Sequence, residues 1–510
     1  MLHRLLARLA ALLALMLPIA AHADWYEVDS AHFTVYSNDN PDKIKAFATD
    51  LEKFDKMMRF LRSAEDPVLS KQNRLTVYVV GDTDDVAKLA GDSFVAGFYS
   101  GRASGSVAFV PRRTGYDGDD DFGPRPILFH EYAHHFMWSM YPNTPYPLWF
   151  SEGFAEFYAT AKFGKDGSVT FGSPLNYRAQ TILDGNILPV EKLMTADTLK
   201  LGEMQRDGLY GRGWLLMHYL VMSGARDGQL EAYIHAINEG KAGLEAASVF
   251  GDLHALDREL EKYKRGKFRA YTVPAAKLPI GEITVRKLTP GEAATMRARI
   301  LSKNGVTEKT APGVYEMAKR ICAPYPNDPG AQMVLAEAAF DAGDYVAAEA
   351  AADRAIAADA TREDGYLYKA MARMAVAKKA HDTSKPTWGA IRKLIAAANK
   401  LETEDPEPLI LYFQSFLDAE QVPPKLAREG MYKAFELAPQ DDDLRMLVAQ
   451  VYLNDGQPAM ARLLLKPLAY DPHNKEMAQA AAALIKQIDA KNPPAPTPAE
   501  TKKTDKPASS

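Results

Sequence analysis

Cysteine is almost missing: Cys322 is the single one among 510 residues. One thiol excludes an internal disulfide framework and any metal site built from several thiolates. An excess of either charge is missing too, with 61 Lys+Arg against 66 Asp+Glu and a net charge of −5. Phosphate binding needs a clustered basic excess, so no nucleic-acid partner is expected. Neither a glycine-rich phosphate loop nor a serine-nucleophile elbow occurs. Beyond residue 23 no stretch is long and apolar enough to cross a bilayer, which takes about 20 residues, so no membrane span is expected in the mature chain. What is present is ordinary for folded protein: 47% hydrophobic and 25% charged residues, in a length that suits roughly three domains.

The first residues read as an export signal. Arg4 and Arg8 precede the apolar run Leu9 to Ala21, and Ala21-His22-Ala23 has the small-x-small form of a signal-peptidase site. Residues 1–23 are therefore expected to be removed, and the mature chain to be exported, either periplasmic or secreted. A lone, partnerless cysteine is compatible with an oxidising compartment.

Three zones follow. Residues 24–275 mix both structural periods: His32 to Tyr36, Leu75 to Val80 and Ser106 to Val110 read as strands, while Ile44, Phe47, Leu51, Phe54, Met58 and Leu61 recur at helical spacing. The expectation is an α+β domain with its sheet built early. Residues 276–288 read as a linker. From 289 to 489 the chain turns alanine-rich and helical, opening on the capping box Thr289-Pro290-Gly291-Glu292, with Gly305 placed to close that helix. Pro406, Pro439 and Pro472 stand 33 residues apart, and Leu335, Ala336, Gly343, Ala348 and Ala355 fall where a helix-turn-helix unit needs small or apolar contacts. Ala427, Ala434 and Pro439 keep the same phase, and Lys378 to Gly389 carries an insertion. This zone resembles tetratricopeptide repeats, an all-α superhelix with a period of ~34 residues. Residues 490–510, rich in proline, lysine, threonine and serine, cannot bury an apolar core and are expected to be a disordered tail.

The sharpest chemical signal is His130-Glu131-Tyr132-Ala133-His134. Positions i and i+4 of a helix share a face, so both imidazoles can reach one metal ion while Glu131 approaches a metal-bound water without ligating. After the break Pro145-Tyr146-Pro147, the run Trp149 to Phe157 reads as a second helix that brings Glu152, 18 positions after His134, towards the pair. Two histidines and a glutamate leave one zinc position open, the pattern of a catalytic Zn2+ site. Glu156, one turn beyond Glu152, is placed to accept a hydrogen bond from the far nitrogen of a ligating histidine.

HEYAH followed by WFSEGFAEF resembles the gluzincin zinc metallopeptidases, most closely their aminopeptidase-N-like branch. The resemblance spans roughly residues 30 to 265 and implies a gluzincin-like α+β metallopeptidase domain. It implies that Glu131 is the general base on zinc-bound water and Glu152 the third metal ligand beside His130 and His134. Tyr210-Gly211-Arg212-Gly213-Trp214 matches a further element, a tyrosine before a basic-glycine pair opening a helix, and implies that Tyr210 stabilises the tetrahedral intermediate. The family's GxMEN element, which holds a free amino terminus, has no counterpart. Gly105 to Val110 stands in its place and is read as an edge strand open to an extended peptide. Endo- and exopeptidase action both remain open.

Other residues read more plainly. His135 points about 100° away from the His130/His134 face and is read as a packing or supporting residue, His218 as a satisfied histidine, and Cys322 as a buried inert thiol. Asp117, Asp119, Asp120 and Asp121 form an acidic loop without calcium-loop spacing. The expected function is hydrolysis of peptides or unfolded protein, with the repeats recruiting substrate or a protein partner. The alternative is a non-catalytic envelope scaffold acting through its helical repeats.

Overall fold

The computed structural model describes residues 24–491 except 68, 94, 114–123, 175, 184–187, 197–200 and 471–473. The expected signal peptide, the acidic loop at 117–121, Pro472 and residues 492–510 of the expected tail lie outside the described residues.

A six-stranded mixed sheet forms the centre of the N-terminal α+β domain. Its strands are β1 (Tyr26–Asp29), β2 (Phe33–Ser37), β3 (Leu75–Asp82), β4 (Phe98–Ser100), β5 (Val107–Arg113) and, after the three strands of a second small sheet, β9 (Thr284–Lys287). The order across the sheet is β4-β5-β3-β2-β1-β9. β2, β3 and β5 run parallel, and the outer pairings are antiparallel. The small sheet joins β6 (Lys162–Phe163), β7 (Val169–Phe171) and β8 (Tyr271–Val273).

Alternation along the strands explains why both faces of the large sheet are covered. Phe33, Val35, Leu75, Val77, Ala108 and Val110 point into one core, shared with helix α1 (Pro41–Arg62) and helix α3 (Pro124–Met140). Their intervening neighbours Tyr36, Tyr78, Val107 and Phe109 face the other way. There they meet Met296 and Ile300 of helix α7 (Pro290–Asn304), the first helix of the C-terminal region. Between these lie α2 (Thr83–Ala90), α4 (Leu148–Ala159), α5 (Glu203–Met222) and α6 (Leu253–Tyr263), with a ten-residue helix at Gln229–Asn238 and shorter helical turns.

Two readings of this region change. Residues 276–288 are not a free linker: β9 pairs with β1 over Tyr26↔Lys287 to Asp29↔Thr284, and Leu288 is buried. Arg286 holds the strand by ion pairs to Glu27 and Glu292. The segment carries Thr284-Val285, a β-forming pair, but its strand character is realised only against the edge that β1 presents. Likewise, β5 is interior, between β3 and β4, so the edge next to α3, the helix that carries His130 and His134, is β4.

The C-terminal region is a long run of helices packing as a superhelix. It comprises α7, α8 (Ala311–Cys322), α9 (Pro329–Asp341), α10 (Tyr345–Ala358), α11 (Glu363–Lys379), α12 (Lys385–Leu401), α13 (Pro406–Asp418), α14 (Lys425–Leu437), α15 (Asp442–Asn454), α16 (Pro458–Ala469) and α17 (Lys475–Lys491). Each helix packs on the next, and α7, α9, α11 and α13 also touch in series. Ala336, Ala348, Ala352, Ala355, Ala370 and Ala372 are fully buried between them, and their small side chains let the helices approach closely. The capping box of Thr289 and Glu292 forms, and Gly305 ends α7. The insertion near Lys378 lengthens α11 and α12 to 17 residues each. Among the described residues no helix is long and apolar enough to cross a membrane.

Candidate metal centre

Helix α3 is positioned by its apolar side. Leu128, Phe129, Tyr132, Ala133, Phe136 and Met137 are buried in the main core, with Phe129 stacked 4.4 Å from Phe54 of α1. That packing turns His130, Glu131, His134 and Trp138 towards a cleft. Helix α4 is buried along its length from Trp149 to Ala159, and it meets α5 at a pair of glycines. A Cβ on Gly153 would sit 2.6 Å from the Gly213 carbonyl oxygen, and one on Gly213 would sit 3.0 Å from that of Trp149. The two backbones therefore touch, which brings Glu152 of α4 and Tyr210 of α5 to the same end of the cleft.

This crossing gives a stability prediction. Gly153→Ala has no flexible neighbour to displace, because its Cβ meets backbone. It is expected to cost at the upper end of the ~1–3 kcal/mol typical of overpacking. For a domain of this size that is a fall of about 6–12 °C in Tm. Calorimetry checks it, and an unchanged Tm would show that the helices do not cross here.

Three ligand-type atoms converge. His130 Nε2 lies 3.2 Å from His134 Nε2 and 3.3 Å from Glu152 Oε2, and His134 Nε2 lies 3.6 Å from the same oxygen. A tetrahedral zinc ion with bonds of about 2.0–2.1 Å sets its ligand atoms about 3.3 Å apart, so these separations fit one ion without rearrangement. Burial works against charge on His130, but the hydrogen bond to Glu152 and the charges of Glu156, Glu152 and Glu131 outweigh it and lift the imidazole to about 9. Burial also opposes charge on Glu152. The imidazoles of His134 and His130 overcome it and hold the carboxyl far below the usual range.

Several contacts that no sequence motif marks support the cluster. Ser151 Oγ lies 3.1 Å from His134 Nδ1, the nitrogen away from the cluster. Glu156 Oε1 faces His130 Nδ1 at 3.8 Å, beyond hydrogen-bond range. The expected hydrogen bond from histidine to Glu156 is thus not formed; the carboxylate instead accepts from Tyr177 Oη at 3.0 Å and from Arg178 at 2.9 and 3.1 Å. The Arg178 guanidinium also lies 4.6 Å over the Tyr210 ring, which is 6.0 Å from the His130 ring. The charge of Glu152, then burial, pushes the Tyr210 hydroxyl well above its ordinary value. Tyr210 sits inside α5 rather than at a helix opening, because Glu203 to Leu209 already continue the helix. Arg212, fully buried, is held in ion pairs with Asp257 and Glu261.

A second His/Asp cluster close enough to hold a metal ion comprises His32, Asp55 and Asp66. Cations already occupy its carboxylates: Arg59 Nε bonds Asp55 at 2.7 Å, and Lys56 pairs with Asp66. Tyr132 of α3 donates to Asp55 at 2.6 Å, so this network ties α1 to the helix that carries His130 and His134. The other singled-out residues are structural. Nδ1 of His135 lies 2.8 Å from Tyr99 Oη, and burial pushes its imidazole down to about 3. His218 is satisfied by Tyr263 and the Arg269 carbonyl. Cys322 is buried, with its thiol pushed up to about 12.

No protein-family model matches the chain, and none of the curated proteins matches it. Among solved structures, a thermophilic TPR protein of Thermus thermophilus aligns with 38% of this chain and 99% of its own, at 16% identity and a TM-score of 0.33. MamA aligns with 38% of this chain and 98% of its own, at 14% identity and a TM-score of 0.27. Yeast Tom70 aligns with 74% of this chain and 76% of its own, at 13% identity and a TM-score of 0.26. The repeat architecture rests on the packing of the chain's own helices.

Proposed function

We propose that the chain is an exported zinc-dependent peptidase of gluzincin type, with His130, His134 and Glu152 as the metal ligands. The observation that carries this reading is the convergence of their three ligand atoms, 3.2–3.6 Å apart, at the floor of a cleft. Bound zinc would supply a Lewis acid at the scissile carbonyl. The chain's own groups supply the rest. The Glu131 carboxylate takes a proton from the attacking water and returns it to the leaving amine nitrogen. Tyr210 Oη, kept protonated by the nearby carboxylates, donates a hydrogen bond to the oxyanion. Ser151 orients His134 through Nδ1, and Arg178 holds Glu156 and the Tyr210 ring together.

A second reading, a non-catalytic envelope adaptor, is favoured by the long run of stacked helices, an architecture that offers an extended surface to a protein partner. One experiment separates the readings. The purified mature protein is expected to carry zinc and to cut an unfolded protein. Chelation is expected to abolish cutting, and added zinc to restore it. A zinc-loaded protein that cuts no member of a peptide library, yet captures a partner through its repeats, would establish the adaptor instead.

A further inference from the structure

The cleft above the His130–His134–Glu152 cluster has a volume of about 850 Å³, and it is not walled by the N-terminal domain alone. Its opposite side is the loop Pro439–Asp441 between α14 and α15, with Asp442, Asp443 and Arg445 from the first turn of α15. Resting on the peptidase reading, we infer that the helical stack is a fixed wall of the active-site cleft, restricting substrates to short peptides or unfolded segments and excluding folded protein surfaces.

The loop is fastened on both sides of the cleft mouth. On one side Asp441 Oδ2 accepts the Ala103 amide at 2.7 Å, while its Oδ1 caps α15 through the Leu444 amide at 2.8 Å. Gln440 Nε2 donates to Ser106 Oγ at 3.1 Å. A Cβ on Gly101 would lie 2.7 Å from the Gln440 carbonyl oxygen, so the two backbones meet at a point where only glycine fits. Ala103 itself is buried within the apolar cluster of the repeats, beside residues of α13 to α17. On the other side Arg445 reaches Asn143, in the turn between α3 and α4, at 3.4 Å, and it is held by the Pro439 carbonyl and the Phe435 ring.

Further contacts hold the stack against the N-terminal domain. Arg102 donates to the Lys303 and Asn304 carbonyls at the end of α7, at 2.8 and 3.2 Å. Asn73 donates to the Glu404 carbonyl at 2.7 Å, and Arg299 of α7 reaches the hydroxyls of Tyr78 and Tyr36, each at 3.1 Å. The stack is therefore bolted to the sheet at α7, near α13 and at the α14–α15 loop. A repeat module tethered only to recruit substrate needs none of these contacts. A cavity of this size is typical of those that enclose a molecule of drug size, and a folded domain cannot enter it.

The full-length zinc-loaded protein tests this with two substrates: a short fluorogenic peptide, and the same sequence tethered to a folded domain through linkers of decreasing length. In the wild type, kcat/KM for the tethered sequence is expected to collapse as the linker shortens, while the free peptide is cut throughout. Ala103→Arg and Gly101→Val, which push the loop away, are expected to raise the ratio of short-linker to free-peptide kcat/KM by about tenfold or more. Absence of linker dependence in the wild type overturns the inference whether or not the variants fold. So does an unchanged ratio in variants that keep the wild-type Tm. Failure of the wild type to cut even the free peptide would instead bring down the peptidase reading, and this inference with it.

Discussion

Glu131→Gln is expected to lower kcat on a peptide substrate by about 10²–10⁴-fold while metal content stays that of the wild type. The two halves of that expectation come from different features. Glu131 lines the cleft next to His130, and its charge is felt by both His130 and Tyr210, so it sits beside the groups to which the proposed reaction is assigned. It is not one of the three residues whose ligand atoms converge. Glutamine preserves the shape of the side chain and its hydrogen bonding but cannot accept the proton of the attacking water. Product release gives kcat, and elemental analysis gives zinc. If kcat is unaltered, another group is the base; if zinc is lost, Glu131 is a ligand and the cluster has been drawn wrongly.

Much of this site was legible because its signals are local. The spacing of His130 and His134 needs only a helix, and the buried apolar residues that flank them are what α3 packs on the core. The strands at 33–37, 75–82 and 107–113 show in their apolar and β-branched runs, and the helix at 41–62 in apolar residues recurring every three or four positions. Other parts depended on partners distant in the chain. Nothing in Asn176-Tyr177-Arg178 marks Arg178 as the group that clamps Glu156, because the pairing exists only after α4 and this turn pack together. The network of His32, Asp55 and Asp66 joins residues that share no motif. β9 shows the same limit in the sheet: an exposed four-residue strand carries little apolar pattern, and its identity comes from the edge it covers. The wall formed by Pro439–Asp443 could not be read either, since proline and three aspartates after a repeat look like an ordinary helix start.

Glu152→Ala is expected to remove both the metal and the activity, with zinc falling from stoichiometric to undetectable and hydrolysis falling to background. Glu152 is the only anion among the three converging groups, and its carboxyl is almost wholly buried. Without it two imidazole nitrogens stand 3.2 Å apart with no negative charge between them and the ion. Glu156 cannot take its place. Its oxygens are engaged by Tyr177 and Arg178, and the nearer one faces the opposite nitrogen of His130. Glu152→Gln, of equal size, separates charge from shape: weakened but measurable zinc binding in that variant, against none in Glu152→Ala, would assign the loss to the missing ligand rather than to a collapsed helix. Wild-type zinc content and kcat in Glu152→Ala would mean that this carboxylate does not hold the ion, and the hydrolytic role of the cleft would fall with it.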